Sequence, residues 1–268
     1  MALPPPADGS TCLVTGASSG IGAEIARELA RRGHGVTLMA RREERLRELA
    51  AELERDHGIR AEVVSCDVTD ESARARAARE IEGRGLTVEV LVNNAGFGTA
   101  GRFQDLDAER EASLVRTNAE AVVAFCGVYV RGMIDRGRGA ILNVASTAGF
   151  QPLPRQATYS ASKAFVRVFS EALSTDLHGT GVTVTALCPG PVPTEFAETA
   201  GISSELFDGP GALYKQPGDV ARTAVDGMDH GRRIVVPGLA NRLGTMFGYY
   251  SPKSVALPLL NRFYPVGK

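Results

Sequence analysis

The chain has 268 residues, 44% apolar and 23% charged, which suits one large or two small globular domains. A formal net charge of −1 gives no global attraction to nucleic acid or to an anionic membrane, so a small molecule is the expected partner. No apolar run approaches the roughly 20 residues of a membrane-spanning helix, which argues against an integral membrane segment.

The opening Met1-Ala2-Leu3-Pro4-Pro5-Pro6 lacks the charged and apolar regions of a secretion signal, and residues 1–10 read as a short extended tail. Cysteines stand at 12, 66, 126 and 188 without the spacing of a redox dithiol or a zinc knuckle. Free thiols in a cytoplasmic setting are expected, and no metal site is legible.

From residue 11 onward, short β-branched runs alternate with longer Ala- and Arg-rich stretches. Strands are predicted over 11–15, 35–40, 61–66, 88–93, 139–145, 182–188 and 233–236. Helices are predicted over 20–32, 42–57, 70–82, 107–136, 157–178 and 217–229. Several strands are apolar on consecutive residues, as in Ala140-Ile141-Leu142-Asn143-Val144, which suits burial on both faces. The alternation predicts an α/β fold, a parallel sheet with helices on both sides, and residues 11–268 form a single domain.

Two regions depart from this rhythm. Residues 189–216 are rich in proline and glycine and longer than most connections, as expected of a lid over a site. Residues 237–268 carry Leu, Met, Phe, Tyr and Pro with no clear period. They read as a packed C-terminal extension or an oligomer contact in preference to a membrane-associated segment.

The first strand runs into Thr15-Gly16-Ala17-Ser18-Ser19-Gly20-Ile21-Gly22, which opens a helix, and this context gives the glycine pattern its meaning. Gly16 permits a tight turn, Gly20 lets backbone approach a pyrophosphate, and Gly22 lets the helix pack closely on the sheet. Gly16, Ser18, Ser19, Gly20, Ile21 and Gly22 are therefore the first candidate dinucleotide contacts. A helix N-terminus offers free N–H groups and a favourable dipole to the phosphates.

The second strand ends Leu38-Met39-Ala40-Arg41-Arg42, with arginines where a ribose-binding carboxylate would otherwise stand. Arginine suits a 2′-phosphate through its charge and forked donors, which predicts NADP(H). Arg41 is the stronger candidate, and Arg42 also fits the start of a solvated helix. Asp67, followed by Val68, ends the third strand, where a carboxylate is placed either to receive an adenine amino group or to cap the next helix.

Tyr159 and Lys163 lie four apart in Tyr159-Ser160-Ala161-Ser162-Lys163, on one face of a helix. Tyrosine has a reference pKa near ~10, and a neighbouring lysine cation favours its phenolate. Ser146, after an apolar strand, is a second hydroxyl for the same substrate oxygen. Taken alone, a Tyr-x-x-x-Lys pair better describes an ordinary helix surface; the rest of the chain reverses that reading.

With these residues in hand, the chain closely resembles the short-chain dehydrogenase/reductase family. The resemblance covers residues 11 to about 236. It rests on Thr15–Gly22, Asn93-Asn94-Ala95-Gly96, Asn118, Ser146, the Tyr159/Lys163 pair and Pro189-Gly190-Pro191-Val192-Pro193-Thr194, in that order. It implies a doubly wound, Rossmann-like seven-stranded sheet of order 3-2-1-4-5-6-7. It implies Ser146, Tyr159 and Lys163 as catalytic residues, and Asn118 as a residue whose backbone holds a relay water.

The family also implies that Asn93, Ala95 and Gly96 line the cofactor cleft, and that Pro189, Gly190, Val192 and Thr194 approach the nicotinamide. Tyr159 and Lys163 touch its ribose as well. Dimers or tetramers built on the two long helices are common in the family, with Val122, Phe125, Phe165 and Phe169 facing either a partner or the sheet.

The implied activity is interconversion of a carbonyl and an alcohol with NADP(H). The alternative is a catalytically silent NADP(H) sensor of the same fold. Expected substrate walls are 97–103, 150–155 and the lid, with Phe196, Ile202, Leu206, Phe207, Leu213 and Tyr214. These are mostly apolar, which favours an apolar substrate of small or middle size. Arg155 is placed to meet an anionic group or simply solvent, and Cys188 reads as a buried, inert thiol.

Overall fold

The computed structural model describes residues 3–201 and 214–263. Its middle layer is a sheet of β1 (Ser10–Thr15), β2 (Val36–Ala40), β3 (Ala61–Ser65), β4 (Thr87–Asn93), β5 (Gly139–Val144), β6 (Val182–Leu187) and β7 (Ile234–Val235). The strands are all parallel and run in the order β3-β2-β1-β4-β5-β6-β7. All residues of β2 and β5 are buried, as continuous apolar runs between two helical layers require.

One face of the sheet packs against α1 (Gly20–Arg31), α2 (Glu43–His57) and α8 (Pro217–Asp229). The other packs against α3 (Glu71–Gly83), α5 (Ala121–Asp135) and α6 (Ala157–Asp176), with α4 (Ala108–Val115) leading into α5. Connections from β1 and β4 leave toward opposite faces, so a crevice opens beyond the carboxyl ends of these neighbouring strands.

Local chemistry sets the element ends. Gly58 stops α2 at φ +65°, a left-handed conformation that costs glycine little. The Asp70 side chain caps α3 by accepting from the backbone N–H groups of Ser72 and Ala73. Asp67 is thereby released from capping and accepts instead from the N–H and hydroxyl of Thr69 at the sheet edge. The segment before β1 lies against the domain, with the Leu3 side chain buried in the core that also holds Ile25 and Leu29.

Two elements differ from the sequence reading. The helix predicted over 107–136 is interrupted by a π-helical turn, Arg116–Glu120, between α4 and α5. The residues after β7, where no period was visible, form α9 (Leu239–Tyr250) and α10 (Lys253–Phe263). The reason is physical: α9 buries Asn241, Thr245 and Gly248 and turns its large apolar side chains outward, so no apolar stripe marks its inner face. A short helix, α7 (Glu195–Thr199), begins the segment expected to be a lid. Ile202, Leu206, Phe207 and Leu213 of that expectation lie outside the described residues.

Between β1 and β2, Thr11 and Thr37 are both buried and their hydroxyls pair at 2.8 Å. Thr37→Val strands the Thr11 hydroxyl and should cost about 1–3 kcal/mol. The Thr11→Val/Thr37→Val double variant removes both groups and should recover most of that loss. Chemical denaturation of the three proteins checks this, and a double variant as weak as the single one refutes it.

Candidate active site

The crevice is a cavity of about 1380 Å³ that runs from Arg41 and Asp67 at one end to Ser146, Tyr159 and Lys163 at the other. Its floor is the turn between β1 and α1. Gly16 adopts φ +66°, and a Cβ there would lie 2.8 Å from the Ala95 backbone. Gly20 adopts φ +57° beside Thr194. Asn94 holds the turn to β4, donating from its side chain to the carbonyls of Thr15 (3.0 Å) and Gly16 (3.1 Å). The Thr15 hydroxyl in turn accepts from the N–H groups of Asn94 and Ala95. Ser19, the N-cap of α1, makes no side-chain cap bond.

At the far end of this floor the two arginines behave differently. Arg41 is exposed, with its guanidinium 3.9 Å from the Asp67 carboxylate. Arg42 folds over the glycine turn instead, donating to the Ser18 hydroxyl at 3.0 Å and to Ser19 at 2.8 Å. Arg42 also pairs with Glu195 at 2.8 Å, and Arg45 pairs with the same carboxylate at 2.5 Å. Hydrogen bonds from Arg45 and then Arg42 hold the Glu195 carboxyl down to about 2. Glu195 begins α7, so this ionic clasp ties the start of α7 to α2 across the cleft. Neither Glu195 nor Arg45 stood out in the sequence, because a contact 150 residues apart along the chain leaves no local pattern.

The other end is built on β5 and α6. Ser146 follows β5 as the N-cap of a 3₁₀ turn, Thr147–Phe150, and its oxygen accepts from the Ala148 N–H at 3.1 Å. Its hydroxyl reaches the Pro189 carbonyl only at 3.5 Å, a weak hold that leaves it free to reorient toward a ligand. That turn approaches α6 closely, since a Cβ on Gly149 would fall 2.7 Å from the Lys163 carbonyl. Tyr159 and Lys163 share one face of α6, with the Lys163 nitrogen 5.9 Å from the Tyr159 ring centre. The Lys163 ammonium is buried and donates to the Val144 carbonyl at 2.8 Å. Burial pushes its pKa down to about 8, with a small opposing pull from Cys188.

Asn118 sits in the π-helical turn and is buried. Its side chain accepts from the Phe97 N–H at 3.1 Å and donates to the Phe97 carbonyl at 2.9 Å and to the Ser162 hydroxyl at 3.1 Å. This one amide fixes the loop after β4 against α6. A Cβ on Gly96 would lie 2.9 Å from the Asn118 oxygen and 3.4 Å from the Lys163 nitrogen, so only glycine leaves this corner open.

Most of the predicted set lines the cleft: Gly16, Ser18, Ser19, Gly20, Ile21, Arg41, Arg42, Asp67, Val68, Ala95, Gly96, Ser146, Tyr159, Lys163, Pro189, Gly190, Val192 and Thr194. Three residues lie behind its wall. Gly22 packs against Asn94 and the Gly16 carbonyl, Asn118 acts from beneath, and the Asn93 amide faces the core, donating to Asn143 at 2.9 Å. Of the expected substrate walls, Phe97, Ala100, Gln151, Leu153, Pro154, Arg155 and Phe196 line the cleft. Phe103 is exposed outside it, and Phe150 packs under Arg167 and Tyr249. The sequence reading missed α4, whose Glu109, Arg110 and Ser113, with the adjacent Asp107, give the mouth a polar side. Arg110 spans that mouth, donating to the Thr199 carbonyl at 2.7 Å over the Phe97 ring. Cys188 is fully buried, and desolvation pushes its thiol up to about 12.

Fold, glycine turn and the Ser146/Tyr159/Lys163 end together define a dinucleotide-dependent α/β dehydrogenase. Comparison with known proteins agrees: the family model described as short chain dehydrogenase matches residues 10–203. The chain therefore belongs to the short-chain dehydrogenase/reductase family. It is 38% identical over 259 residues to a putative ketoacyl reductase of Streptomyces coelicolor, covering 90% of this chain and 98% of that protein. Among solved structures it is similar to a short-chain dehydrogenase from Sphingobium yanoikuyae in complex with NADPH, with a TM-score of 0.79, 30% identity and coverage of 97% and 98%. It is also similar to an actinorhodin polyketide ketoreductase with NADPH, with a TM-score of 0.77, 35% identity and coverage of 88% and 98%.

The buried lysine makes a stability prediction. Below pH 8 Lys163 is protonated in both the folded and unfolded chain, and the fold bears the desolvation cost. Between pH 8 and about 10.5 the unfolded chain keeps the proton longer, so folding stability contributed by this group rises with pH. Lys163→Met should therefore raise Tm at pH 7, with an advantage on the order of 3 kcal/mol before the lost Val144 contact is counted. The advantage should shrink toward pH 10.5. Thermal melts of both proteins from pH 7 to 10 check this, and a gap that does not change with pH contradicts it.

Proposed function

We propose that this chain is an NADP(H)-dependent oxidoreductase that interconverts a carbonyl and an alcohol, with Tyr159 as the general acid and base. The observation that carries this reading is a buried lysine cation beside a tyrosine, at one end of a cleft whose other end holds arginines and seryl hydroxyls. With a pKa of about 8, Lys163 stays largely protonated near neutrality despite its burial. Its positive charge, close to the Tyr159 ring, is placed to stabilise the negative charge that proton transfer leaves on the Tyr159 oxygen.

The cleft fits a phosphorylated dinucleotide. The glycine turn leaves room for a pyrophosphate against the α1 N-terminus, where the capping position is not used internally. Arg42, already held over Ser18, is better organised than the sequence suggested and shares the 2′-phosphate role with Arg41. Asp67 and Val68 form the adenine end, while Ala95, Gly96, Pro189, Gly190, Val192 and Thr194 flank the nicotinamide end.

When bound at the glycine turn, NADPH would supply the hydride for a substrate carbonyl carbon. Tyr159 gives its phenolic proton to the carbonyl oxygen, and Ser146 donates a hydrogen bond to the charge developing there. Lys163 would hold the cofactor ribose and return a proton to Tyr159, with the π-helical Asn118 turn close by to hold a relay water. Leu153, Phe97 and Phe196 favour a small or mid-sized substrate with an apolar body. The polar side made by α4 receives any polar end.

We place the whole of 11–268 in one catalytic domain of a cytoplasmic enzyme. A second copy would sit on the outward faces of α5 and α6, where Val123, Val128, Phe165 and Val168 are exposed. Val122 and Phe125 are buried toward the sheet and take no part in that contact. The alternative of a silent NADP(H) sensor predicts no turnover, and NADPH oxidation with a panel of ketones and aldehydes separates the two.

Tyr159→Phe should lower kcat by at least about 100-fold while leaving NADPH binding within a few-fold of the parent. Undiminished turnover of a verified substrate by that variant would sink the assigned role. Arg42→Ala and Arg41→Ala should each weaken NADPH about tenfold, roughly 1.4 kcal/mol, and barely affect NADH. Titration of both cofactors measures this, and equal losses would count against a 2′-phosphate site.

A further inference from the structure

The net charge of −1 hides an asymmetry. Residues 230–268 contain none of the chain's 31 Asp and Glu, yet carry Arg232, Arg233, Arg242, Lys253, Arg262 and Lys268. Within this cationic segment α9 is turned inside out. Leu239, Leu243, Met246, Phe247 and Tyr250 are each at least 51% exposed, and their spacing of i, i+4, i+7, i+8 and i+11 puts them on one helical face. The opposite face holds the helix to the site: Asn241 packs on Gly190, and Gly248 on Gln151. Leu257 and Leu259 of α10 extend the exposed apolar surface. A patch of this size facing water marks an interaction surface.

We propose that α9 and α10 dock this enzyme onto an anionic phospholipid surface. Charge complementarity selects this occupant. Exposed Arg242 and Lys253 flank the apolar face, and no carboxylate in the segment opposes a phosphate headgroup. Phe247, Tyr250 and the leucines have the amphipathic character of interfacial anchors. A second copy is disfavoured, because a twofold contact brings the same face against itself and sets Arg242 near its own mate with no acidic partner. Among the described residues no helix is long and apolar enough to cross a membrane, so the segment lies in the interface plane.

The docked face shares a wall with the substrate pocket. Leu260 of α10 packs against the cluster formed by Leu114, Ala148, Leu153 and Tyr159, and Asn261 accepts from Arg155 at the pocket rim at 3.1 Å. Resting on the proposed carbonyl chemistry, this places the pocket beside a phase in which apolar carbonyl compounds are dissolved. Lipid binding itself does not depend on that chemistry.

The test uses the full chain with vesicles of phosphatidylcholine alone or with phosphatidylglycerol. The protein should float with the phosphatidylglycerol vesicles and stay largely behind with phosphatidylcholine. Arg242→Glu should reduce flotation at least tenfold. The triple variant Leu243→Ser/Phe247→Ser/Tyr250→Ser should abolish it while keeping the parent's melting temperature and NADPH affinity. The chain has no tryptophan, so Phe247→Trp gives an unambiguous reporter. Its emission should shift to the blue on anionic vesicles and be quenched by brominated lipid.

No flotation of the parent, or flotation undiminished in the triple variant, overturns the proposal. So does a parent oligomer that the triple variant dissociates without any vesicle binding, which would make a second copy the occupant. A failure of carbonyl reduction with normal flotation would instead count only against the catalytic reading.

Discussion

A positive charge buried at the wall of the cleft is the constraint around which this structure is arranged. Among the described residues the Lys163 ammonium bonds to no carboxylate and donates to the Val144 carbonyl at the end of β5. Such a charge is costly to bury, and the fold accepts the cost where a tyrosine, a glycine corner and a cleft meet. Gly149 lets the Ser146 turn press against the backbone of α6, and Gly96 keeps the space above the ammonium open. Asn118 pins the loop that carries Gly96. Each of these features is an oddity by itself, and each has a purpose once the position of the charge is fixed.

The two ends of the cleft use electrostatics in opposite ways. At the Lys163 end burial strips a lysine of water and makes its charge act strongly over a short range. At the other end Arg42, Arg45 and Glu195 are partly exposed, so their attraction is screened and easily exchanged. The acidic partner thus keeps the arginines oriented without binding them irreversibly.

Much of this was legible in the chain itself, because the sheet is made of continuous apolar runs and the helices begin with recognisable turns. All seven strands lie within a residue or two of their predicted limits. Position was harder than identity. Arg42 read as the start of a solvated helix, since nothing local shows that its side chain folds back onto Ser18 and Ser19. Asn93 shares a motif with Asn94, yet strand alternation sends its amide into the core, toward Asn143. The helices after β7 had no readable period because α9 buries its polar and small residues. Periodicity methods assume water outside and oil inside, and that assumption fails for this element.

The π-helical turn at Arg116–Glu120 has one more consequence. Each residue of an α-helix advances the face by about 100°, so one inserted residue rotates everything that follows by that amount. Before the turn, α4 directs Arg110 and Ser113 at the cleft. After it, α5 presents Val122 and Phe125 to the sheet. A single rod is thus divided into two lengths with different phases, one serving the cleft and the other the core. Removing one residue from that turn would bring the phases together and force the protein to give up one of the two surfaces.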